Sequence, residues 1–430
     1  MGALLVHAVT RPALRVLLWL VALTVVATRM CDLPRRVLRL DFSIFYSTAA
    51  ALRRGLNPYT CDLRPIAAQF HMDIGQLIHT NSPPTFLLMF EPLARLPPRA
   101  AYWTWFAVSA AAFVAAAILL LRDRDSALDR AQTQVFAALM LLYMPTSVHL
   151  IFAQAQFVIL MLLVVMMRGL RRGNDLLAGG AFALAAALRA FPFVMAAYLI
   201  VKRRWRALLF GALAFAAIEL ITLAALGWPI FSSFIRFALR APADITDINV
   251  RQPSDASLFP FITRVFWHVF GLGLGPLLNR VRALTTVAAE LGVIALAVRA
   301  TLREPANRDS DSRAFGLWIA VMLLVSPITW IHYFVLLLVP FHAIASSSAA
   351  GRCPRGAIWV ALASYVVMLL APGFHYSSRT LNGYVLYSPK AEFAFVALAL
   401  ALVASLLSVN AAPIAADSAA TARGASAEPA

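Results

Sequence analysis

Apolar runs long enough to cross a lipid bilayer recur along almost the whole chain, and they constrain the fold more than any other feature. A spanning helix needs about 20 apolar residues, and fewer where charged flanking side chains reach the interface. The runs lie at about 13–30, 98–121, 134–152, 156–168, 176–188, 190–201, 205–225, 283–302, 314–327, 332–346, 356–371 and 391–409. None alternates apolar and polar residues as a strand of a membrane barrel would. The sequence therefore predicts an all-α polytopic membrane protein with about 12 transmembrane helices.

The charge content indicates the same class of protein. Only 13% of the residues are charged, 61% are hydrophobic, and the mean hydropathy is +0.78, whereas a soluble domain carries about 25% charged residues. The net charge of +17 is therefore not interpreted as a nucleic-acid-binding surface. It indicates either basic loops held on the cytoplasmic face of a membrane or a site for anionic ligands.

The arginine-rich loops predict the orientation, because short cytoplasmic loops collect Lys and Arg. Basic clusters at 168–172, 202–206, 299–308 and 352–355 are predicted inside, together with both termini. No small-residue cleavage site follows the first apolar run, which is interpreted as an uncleaved span rather than a signal peptide. This topology leaves external loops at about 31–97, 226–282 and 372–390, and a short re-entrant or surface-lying helix at 83–96.

The domain organisation follows from the same runs. Residues 1–409 are predicted to form a single transmembrane domain, and residues 410–430, rich in Ala and Ser, a disordered cytoplasmic tail. The three cysteines are too few for a disulfide scaffold or a zinc cluster. Cys31 and Cys61 fall in one predicted external loop, where they either pair or remain free thiols.

The stretch between two of the inner basic clusters must cross outward and return. The sequence Arg189-Ala-Phe-Pro192 interrupts it, and a proline inside an apolar helix breaks that helix. We therefore expect Arg189 at an outer turn between two short helices. An ionisable residue at membrane depth is a functional-site hypothesis, and the alternative is an arginine that extends its side chain to the interface.

A second candidate lies in the first external loop. Asp41 begins about three predicted helical turns, which contain Tyr46 and end at Gly55 before the Asn57-Pro-Tyr59 turn. Asp41 is either the N-cap of that helix, which the spacing alone favours, or a carboxylate at the outer surface placed as a general base.

Two further polar patches lie at predicted outer turns. Gln154 and Gln156 could hydrogen-bond sugar hydroxyls or satisfy backbone groups at a tight turn. Trp330 and His332 suit a sugar–phosphate site through stacking and proton transfer, although Trp and neighbouring aromatics are also typical of the membrane interface.

Several catalytic motifs are missing from the sequence. It contains no P-loop, no dinucleotide-binding fingerprint, no zinc-protease helix and no nucleophile elbow. No Asp-x-Asp pair lies in a predicted external loop, so a metal-dependent nucleotide-sugar mechanism is not indicated, and no cofactor or metal is predicted. The intramembrane Glu219 and Glu290 favour a different class of protein, a transporter.

Taken together, the polar patches resemble family 87 glycosyltransferases, which are polytopic enzymes of the C-type glycosyltransferase (GT-C) fold. The matching segments are Asp41…Gly55-x-Asn57-Pro58-Tyr59, Pro83-Pro84…Pro92-Leu-Ala-x-Leu-Pro97, the Gln154 turn, Arg189-x-x-Pro192 with the basic cluster after it, and Ser326-Pro-x-x-Trp330-x-His332. Three positions depart from the family pattern. Its usual Gly-Gln-x-Asn turn is Ala153-Gln-Ala-Gln156 here, its usual Lys before proline is Arg189, and its frequent second His is Tyr333.

The resemblance implies a function and a site. It implies a membrane hexosyltransferase that moves a sugar, with mannose as the expected hexose, from a polyprenyl-phosphate donor to a lipid or glycan acceptor on the external face of a bacterial inner membrane, with inversion. Asp41 would be the catalytic base and His332 a second catalytic group. The implied substrate-binding residues are Tyr46, Asn57, Tyr59, Gln154, Gln156, Arg189 and Trp330. The alternative is a transporter or flippase of lipid-linked sugars, which would need the same cations but no base.

Overall fold

The computed structural model describes residues 11–33, 41–74, 79–250, 255–304, 308–370, 379–381, 384–387 and 389–409. The helices of the first half are α1 (Pro12–Asp32), α2 (Asp41–Arg53), α3 (Arg64–Gln69), α4 (Pro84–Phe90), α5 (Pro98–Leu121), α6 (Arg130–Leu142), α7 (Met144–Phe152), α8 (Gln156–Arg171) and α9 (Asp175–Leu188). Those of the second half are α10 (Met195–Val201), α11 (Trp205–Leu226), α12 (Trp228–Val250), α13 (Leu258–Phe270), α14 (Pro276–Arg303), α15 (Arg308–Val325), α16 (Leu338–Ala349), α17 (Arg355–Leu370) and α18 (Pro389–Val409).

Three short 3₁₀ segments and one hairpin complete the described elements. The 3₁₀ segments are Glu91–Arg95, Phe191–Val194 and Ile331–Leu337. The antiparallel strands β1 (Arg379–Leu381) and β2 (Tyr384–Tyr387) lie in the predicted third external loop. The predicted tail at 410–430 lies outside the described residues.

The all-α membrane class is confirmed, but the number of spanning helices is not. Among the described residues, six helices are long and apolar enough to cross a bilayer, and the pair α6 and α7, bent by 47°, could form a seventh. The other apolar helices include segments of 10–17 residues, such as α9 and α17. Composition alone does not give the number of spans, because short apolar helices that pack inside a bundle have the same composition as full spans.

The lipid-facing surface is visible on α11, which has leucines on its outer side. Leu209, Leu213 and Leu220 are 58%, 60% and 64% exposed. A helix that is apolar on all faces yet exposed on one side matches a hydrocarbon environment, since water would penalise that surface.

Two of the four predicted inner basic clusters lie together at one end of the bundle. Residues of the 168–172 and 202–206 clusters line a single cleft of about 720 Å³. Lys202 and Arg204 both pair there with Asp311, at 2.6 and 2.9 Å. Helix α9 leads away from this cleft over 14 residues, or about 21 Å, and Arg189 follows its last residue. Arg189 therefore lies at the opposite end, as the outward crossing requires.

Helices α9 and α11 approach each other at glycines. A Cβ atom placed on Gly179 would lie 2.5 Å from the carbonyl oxygen of Ala207 and 2.6 Å from the amide nitrogen of Gly211. Small residues allow such backbone contact between membrane helices, where packing replaces the hydrophobic effect as the force of association. The contact holds the helix that carries Arg189 against α11.

We expect Gly179→Ala to lower thermal stability, because the added methyl group must push α9 away from α11. Overpacking of this kind costs about 1–3 kcal/mol. Gly180→Ala is the matched control, since a Cβ on Gly180 meets nothing within 4 Å and alanine favours helix. Thermal unfolding of both variants in one detergent measures the difference, and equal melting temperatures would contradict the packing argument.

Candidate active site

The acid of the predicted first external loop and the arginine of the helix break both interact with one glutamine. Asp41 is 8% exposed at the start of α2. Burial raises the pKa of its carboxyl to about 6, and an interaction with the side chain of Gln154 lowers it by less. The guanidinium of Arg189 donates from Nη2 to Oε1 of Gln154 at 3.2 Å and from Nη1 to Oγ of Ser82 at 3.2 Å. Since Oε1 of Gln154 accepts from Arg189, its amide nitrogen is free to donate to Asp41. One side chain thus joins a carboxylate and a cation.

The planar guanidinium of Arg189 lies near aromatic rings. Its guanidinium carbon lies 4.9 Å from the ring centre of Phe86 and 5.4 Å from that of Phe45. Arg189 is 7% exposed, and its Nε has no hydrogen-bond partner. Its backbone is extended and ends α9, so the predicted break before Pro192 is confirmed. The group retains a donor for a ligand and a full charge in poorly hydrated surroundings.

The Gln154 turn is held by bonds to neighbouring helices. Trp105 on α5 donates from Nε1 to the carbonyl oxygen of Ala153 at 2.6 Å, and Ser109 donates to that of Gln154 at 3.4 Å. Ala153 has φ +49°, in the left-handed region, where the family pattern has the less strained glycine. The amide of Phe157 donates to Nε2 of His149 at 3.2 Å. These contacts hold the backbone of the turn from which the Gln154 side chain extends.

The patch at 330–333 faces the same site. His332 is 3% exposed, and its Nε2 has no hydrogen-bond partner. Its ring stacks on Phe152 with the ring centres 5.9 Å apart and lies 5.5 Å from the ring of Trp330. Tyr333 is close enough to Asp41 and Arg189 to interact electrostatically with both. The structure therefore places the predicted patch of Trp330 and His332 near Asp41 and Arg189.

Gln156 lies at the same turn, at the first residue of α8. It is fully buried, and neither atom of its side-chain amide has a partner at normal hydrogen-bond geometry, although the Tyr333 hydroxyl is close to it. A buried amide with unused capacity suits a polar ligand.

The other predicted residues of the first loop bond within the protein. Tyr46 donates to the carbonyl oxygen of Leu96 at 2.8 Å, and Tyr59 donates to that of Ser82 at 2.6 Å. Asn57 donates to Oγ of Ser233 on α12 at 2.9 Å. These side chains connect the first loop to α12 and to the segment that supports Arg189, and their role in substrate binding stays a prediction. The residues just before Asp41 lie outside the described residues, so the interpretation of Asp41 as an N-cap stays a prediction.

Sequence reasoning missed Asp255. It lies in the predicted second external loop, is fully buried, and forms an antiparallel bridge with Trp330. Burial raises the pKa of its carboxyl to about 6, while bonds from Thr329 and Ser257 act in the opposite direction. The only available sequence signal was the Asp-x-Ser pattern before α13, which is common in ordinary turns.

The acidic and histidine side chains of the site are spread out rather than clustered for a metal ion. Within the described ranges, no three His, Cys, Asp or Glu side chains are grouped so that they could hold one.

Comparison with known proteins identifies one family. A family model described as Glycosyltransferase family 87 matches residues 82–327, which is more than half of the chain. No curated protein sequence matches the chain. Among solved structures, the chain is similar to ArnT from Cupriavidus metallidurans, solved bound to undecaprenyl phosphate. The TM-score is 0.45 at 16% identity, and the match covers 92% of this chain and 74% of that one.

Proposed function

The chain belongs to glycosyltransferase family 87, and from that premise we propose a specific reaction for this membrane glycosyltransferase. It moves a hexose, with mannose as the expected sugar, from a polyprenyl-phosphate donor to a lipid or glycan acceptor. The observation that supports this most is the shared contact of Asp41 and Arg189 with Gln154. It holds a base and a phosphate-binding cation in one buried site.

Asp41 is the proposed general base. Its carboxylate takes the proton of the acceptor hydroxyl while that oxygen attacks the anomeric carbon. The bond between the anomeric carbon and the phosphate oxygen breaks, and the polyprenyl phosphate leaves with the electron pair. A single displacement inverts the configuration, so a β-linked donor gives an α-linked product.

Arg189 is the proposed stabiliser of the leaving phosphate. A guanidinium binds phosphate oxygens through several N–H donors, and it does so most strongly where water is excluded. The Phe45 and Phe86 rings exclude water from its faces. The polyprenyl tail would then extend into the hydrocarbon, and this geometry suits a lipid-linked donor better than a soluble nucleotide sugar.

The remaining site residues are assigned to the sugar and the acceptor. Gln154 and Gln156 would bind hydroxyls, and Trp330 would pack against the hexose ring. His332, with its free Nε2, would hydrogen-bond the leaving phosphate or the acceptor as the second catalytic group.

The orientation is part of the proposal. The site would face the outside of a bacterial inner membrane, with both termini in the cytoplasm and residues 1–409 as one transmembrane domain. Arg189 lies a helix length from the basic cleft, which supports placing the two on opposite faces. Reporter fusions after Arg206 and Arg303 should report the cytoplasm, and one at residue 245 the outside. A cytoplasmic signal at 245 would contradict this orientation.

Purified protein in liposomes tests the reaction. Given polyprenyl-phosphate [¹⁴C]mannose and a membrane lipid extract, it should transfer label to an extractable acceptor and release polyprenyl phosphate. Label supplied as a nucleotide sugar should not be transferred. Movement of the intact donor between leaflets without release of polyprenyl phosphate would replace this proposal with the flippase alternative.

The activity should fall as the pH is lowered through about 6. Burial raises the pKa of Asp41 to about 6, and the hydrogen bond with Gln154 and the charge of Arg189 lower it by less. A protonated carboxyl cannot accept the acceptor's proton, and at pH 7 the charged form is in about tenfold excess. The pH profile of kcat/KM measures this.

A matched variant isolates Asp41 in that profile. The pKa of Asp255 is also raised to about 6, so the profile is repeated with Asp255→Asn. The acidic limb should persist in that variant if Asp41 causes it. If the acidic limb disappears in that variant, the titrating group is Asp255.

A further inference from the structure

The carboxylate of Asp255 uses only one of its two oxygens inside the protein. Oδ1 accepts from the Thr329 amide at 3.0 Å, from the Ser257 hydroxyl at 3.0 Å and from the Ser257 amide at 3.2 Å. Oδ2 is buried and has no hydrogen-bond partner. Oδ1 alone therefore makes the side-chain bonds by which Asp255 joins the predicted second external loop to the 326–330 segment.

Arg264, whose charge acts on Asp255, makes no hydrogen bond to Oδ2. Arg264 donates from Nη1 to the backbone oxygen of Asp255 at 3.1 Å, and from Nε to Glu392 at 2.9 Å. Its charge favours an ionised Asp255, but no hydrogen bond reaches Oδ2. A buried carboxylate oxygen without a donor is costly unless a ligand supplies one.

The residue that carries the free oxygen is joined to the aromatic residues of the proposed site. Its bridge partner Trp330 has a ring 5.5 Å from that of His332 and 6.5 Å from that of Tyr333. The buried indole N–H of Trp330 has no acceptor, and Nε2 of His332 is also unpartnered. Tyr333 interacts electrostatically with both Asp41 and Asp255, so both carboxylates lie in its neighbourhood.

The unpartnered polar atoms of these two residues suit a particular chemical group. An unused acceptor on Asp255 and an unused donor on its bridge partner Trp330 match hydroxyl groups, each of which donates and accepts. A phosphate would be repelled by the carboxylate, whereas Arg189 attracts it. Asp255 and Arg189 would then bind the two ends of a sugar phosphate.

We propose that Asp255 and Trp330 form a hexose-recognition subsite, in which Oδ2 of Asp255 accepts a sugar hydroxyl of the donor. The proposal rests on the proposed function, because it assumes that a lipid-linked hexose binds at this site. Asp255 is a specificity residue in this scheme, separate from the base and from the phosphate site.

Asp255→Asn tests the subsite without removing the loop connection. Asparagine keeps Oδ1 for the three donors from Ser257 and Thr329 and replaces only Oδ2 with an amide nitrogen. A site built to accept a hydrogen bond from a substrate hydroxyl discriminates strongly against a ligand that lacks that hydroxyl. A variant that lacks the acceptor loses the same interaction. We expect kcat/KM to fall by about 10- to 100-fold, chiefly through KM, and the preference among donors epimeric at a hydroxyl to weaken.

A binding assay separates this proposal from the reaction itself. Quenching of tryptophan fluorescence is titrated with short-chain polyprenyl-phosphate mannose and with the same polyprenyl phosphate lacking the sugar, without acceptor. Wild type should bind the sugar-bearing lipid about tenfold more tightly, and Asp255→Asn should bind both equally. Ser257→Ala, which removes one bond to Oδ1 and leaves Oδ2 unchanged, is the matched control and should retain the wild-type ratio.

The outcomes are distinguishable. Equal binding of the two lipids by wild type, or an unchanged ratio in a folded Asp255→Asn variant, would overturn the subsite. Loss of the ratio in Ser257→Ala to the same extent would assign Asp255 a purely structural role. If the binding difference is found but no sugar is transferred in any assay, the proposed transfer reaction fails while the subsite stands.

Discussion

Replacing Asp41 with Asn is expected to reduce glycosyl transfer by about 10²–10⁴-fold, chiefly in kcat. Asparagine has the size of the native side chain and can still accept the hydrogen bond from Gln154, but it cannot accept a proton at neutral pH. The charge balance around Arg189 changes by one unit, so the binding of the phosphate should be kept or strengthened. Initial rates with polyprenyl-phosphate mannose, together with the affinity for that donor, measure the two effects separately.

The control for this variant is another acid of the same predicted loop. Asp62 pairs with Arg64 at the surface and has a half-exposed side chain, so Asp62→Asn should transfer at the wild-type rate. A fully active Asp41→Asn variant would remove the base assignment and restore the N-cap interpretation. Loss of donor binding together with loss of rate would indicate instead that Asp41 orders the site.

Replacing Arg189 with Ala should reduce kcat/KM by about 10²–10³-fold, the effect expected when a group that stabilises transition-state charge is removed. The change removes the charge near the leaving phosphate and leaves the side chains of Gln154 and Ser82 without their donor. It should also weaken inhibition by free polyprenyl phosphate, which is the leaving group.

Lysine at position 189 provides the graded comparison. Arg189→Lys keeps the charge, but one ammonium group cannot reproduce the planar fork between Ser82 and Gln154. The loss should therefore be smaller than with Ala, and Arg172→Ala at the opposite basic cleft should have no effect on inhibition by polyprenyl phosphate. Equal losses in the Lys and Ala variants would show that the fork geometry, and not the charge, is what Arg189 supplies.

Local patterns in the sequence predict the parts of this site, but not their assembly. The helix break at Pro192 and the turn at Gln154 follow from chain chemistry, and the family resemblance assigns Asp41 as the base. Their meeting at one glutamine depends on packing between helices far apart in sequence, including the glycine contact of α9 with α11. No short-range pattern encodes that contact.

What the sequence did not predict has physical causes of the same kind. Asp255 lies in a loop without periodicity, and its burial depends on the fold, in which it forms a bridge with Trp330. Tyr46 and Asn57 carry polar groups that suit a sugar and have protein partners in the fold, so their role in substrate binding stays a prediction. The number of about 12 spans is not confirmed, because apolar composition does not distinguish a full crossing from a short helix enclosed by others.

The burial of the site has a consequence for the fate of the activated sugar. Asp41, Gln154, Gln156, Arg189 and His332 are all less than 9% exposed. A base that can deprotonate an alcohol can also deprotonate water, and water in a polar cleft would far outnumber any acceptor. Side chains closed to solvent in this way would reduce hydrolysis of the donor. The ratio of transfer to hydrolysis should therefore depend on the packing around Asp41. Variants that loosen this packing should hydrolyse more donor before their rate of turnover falls.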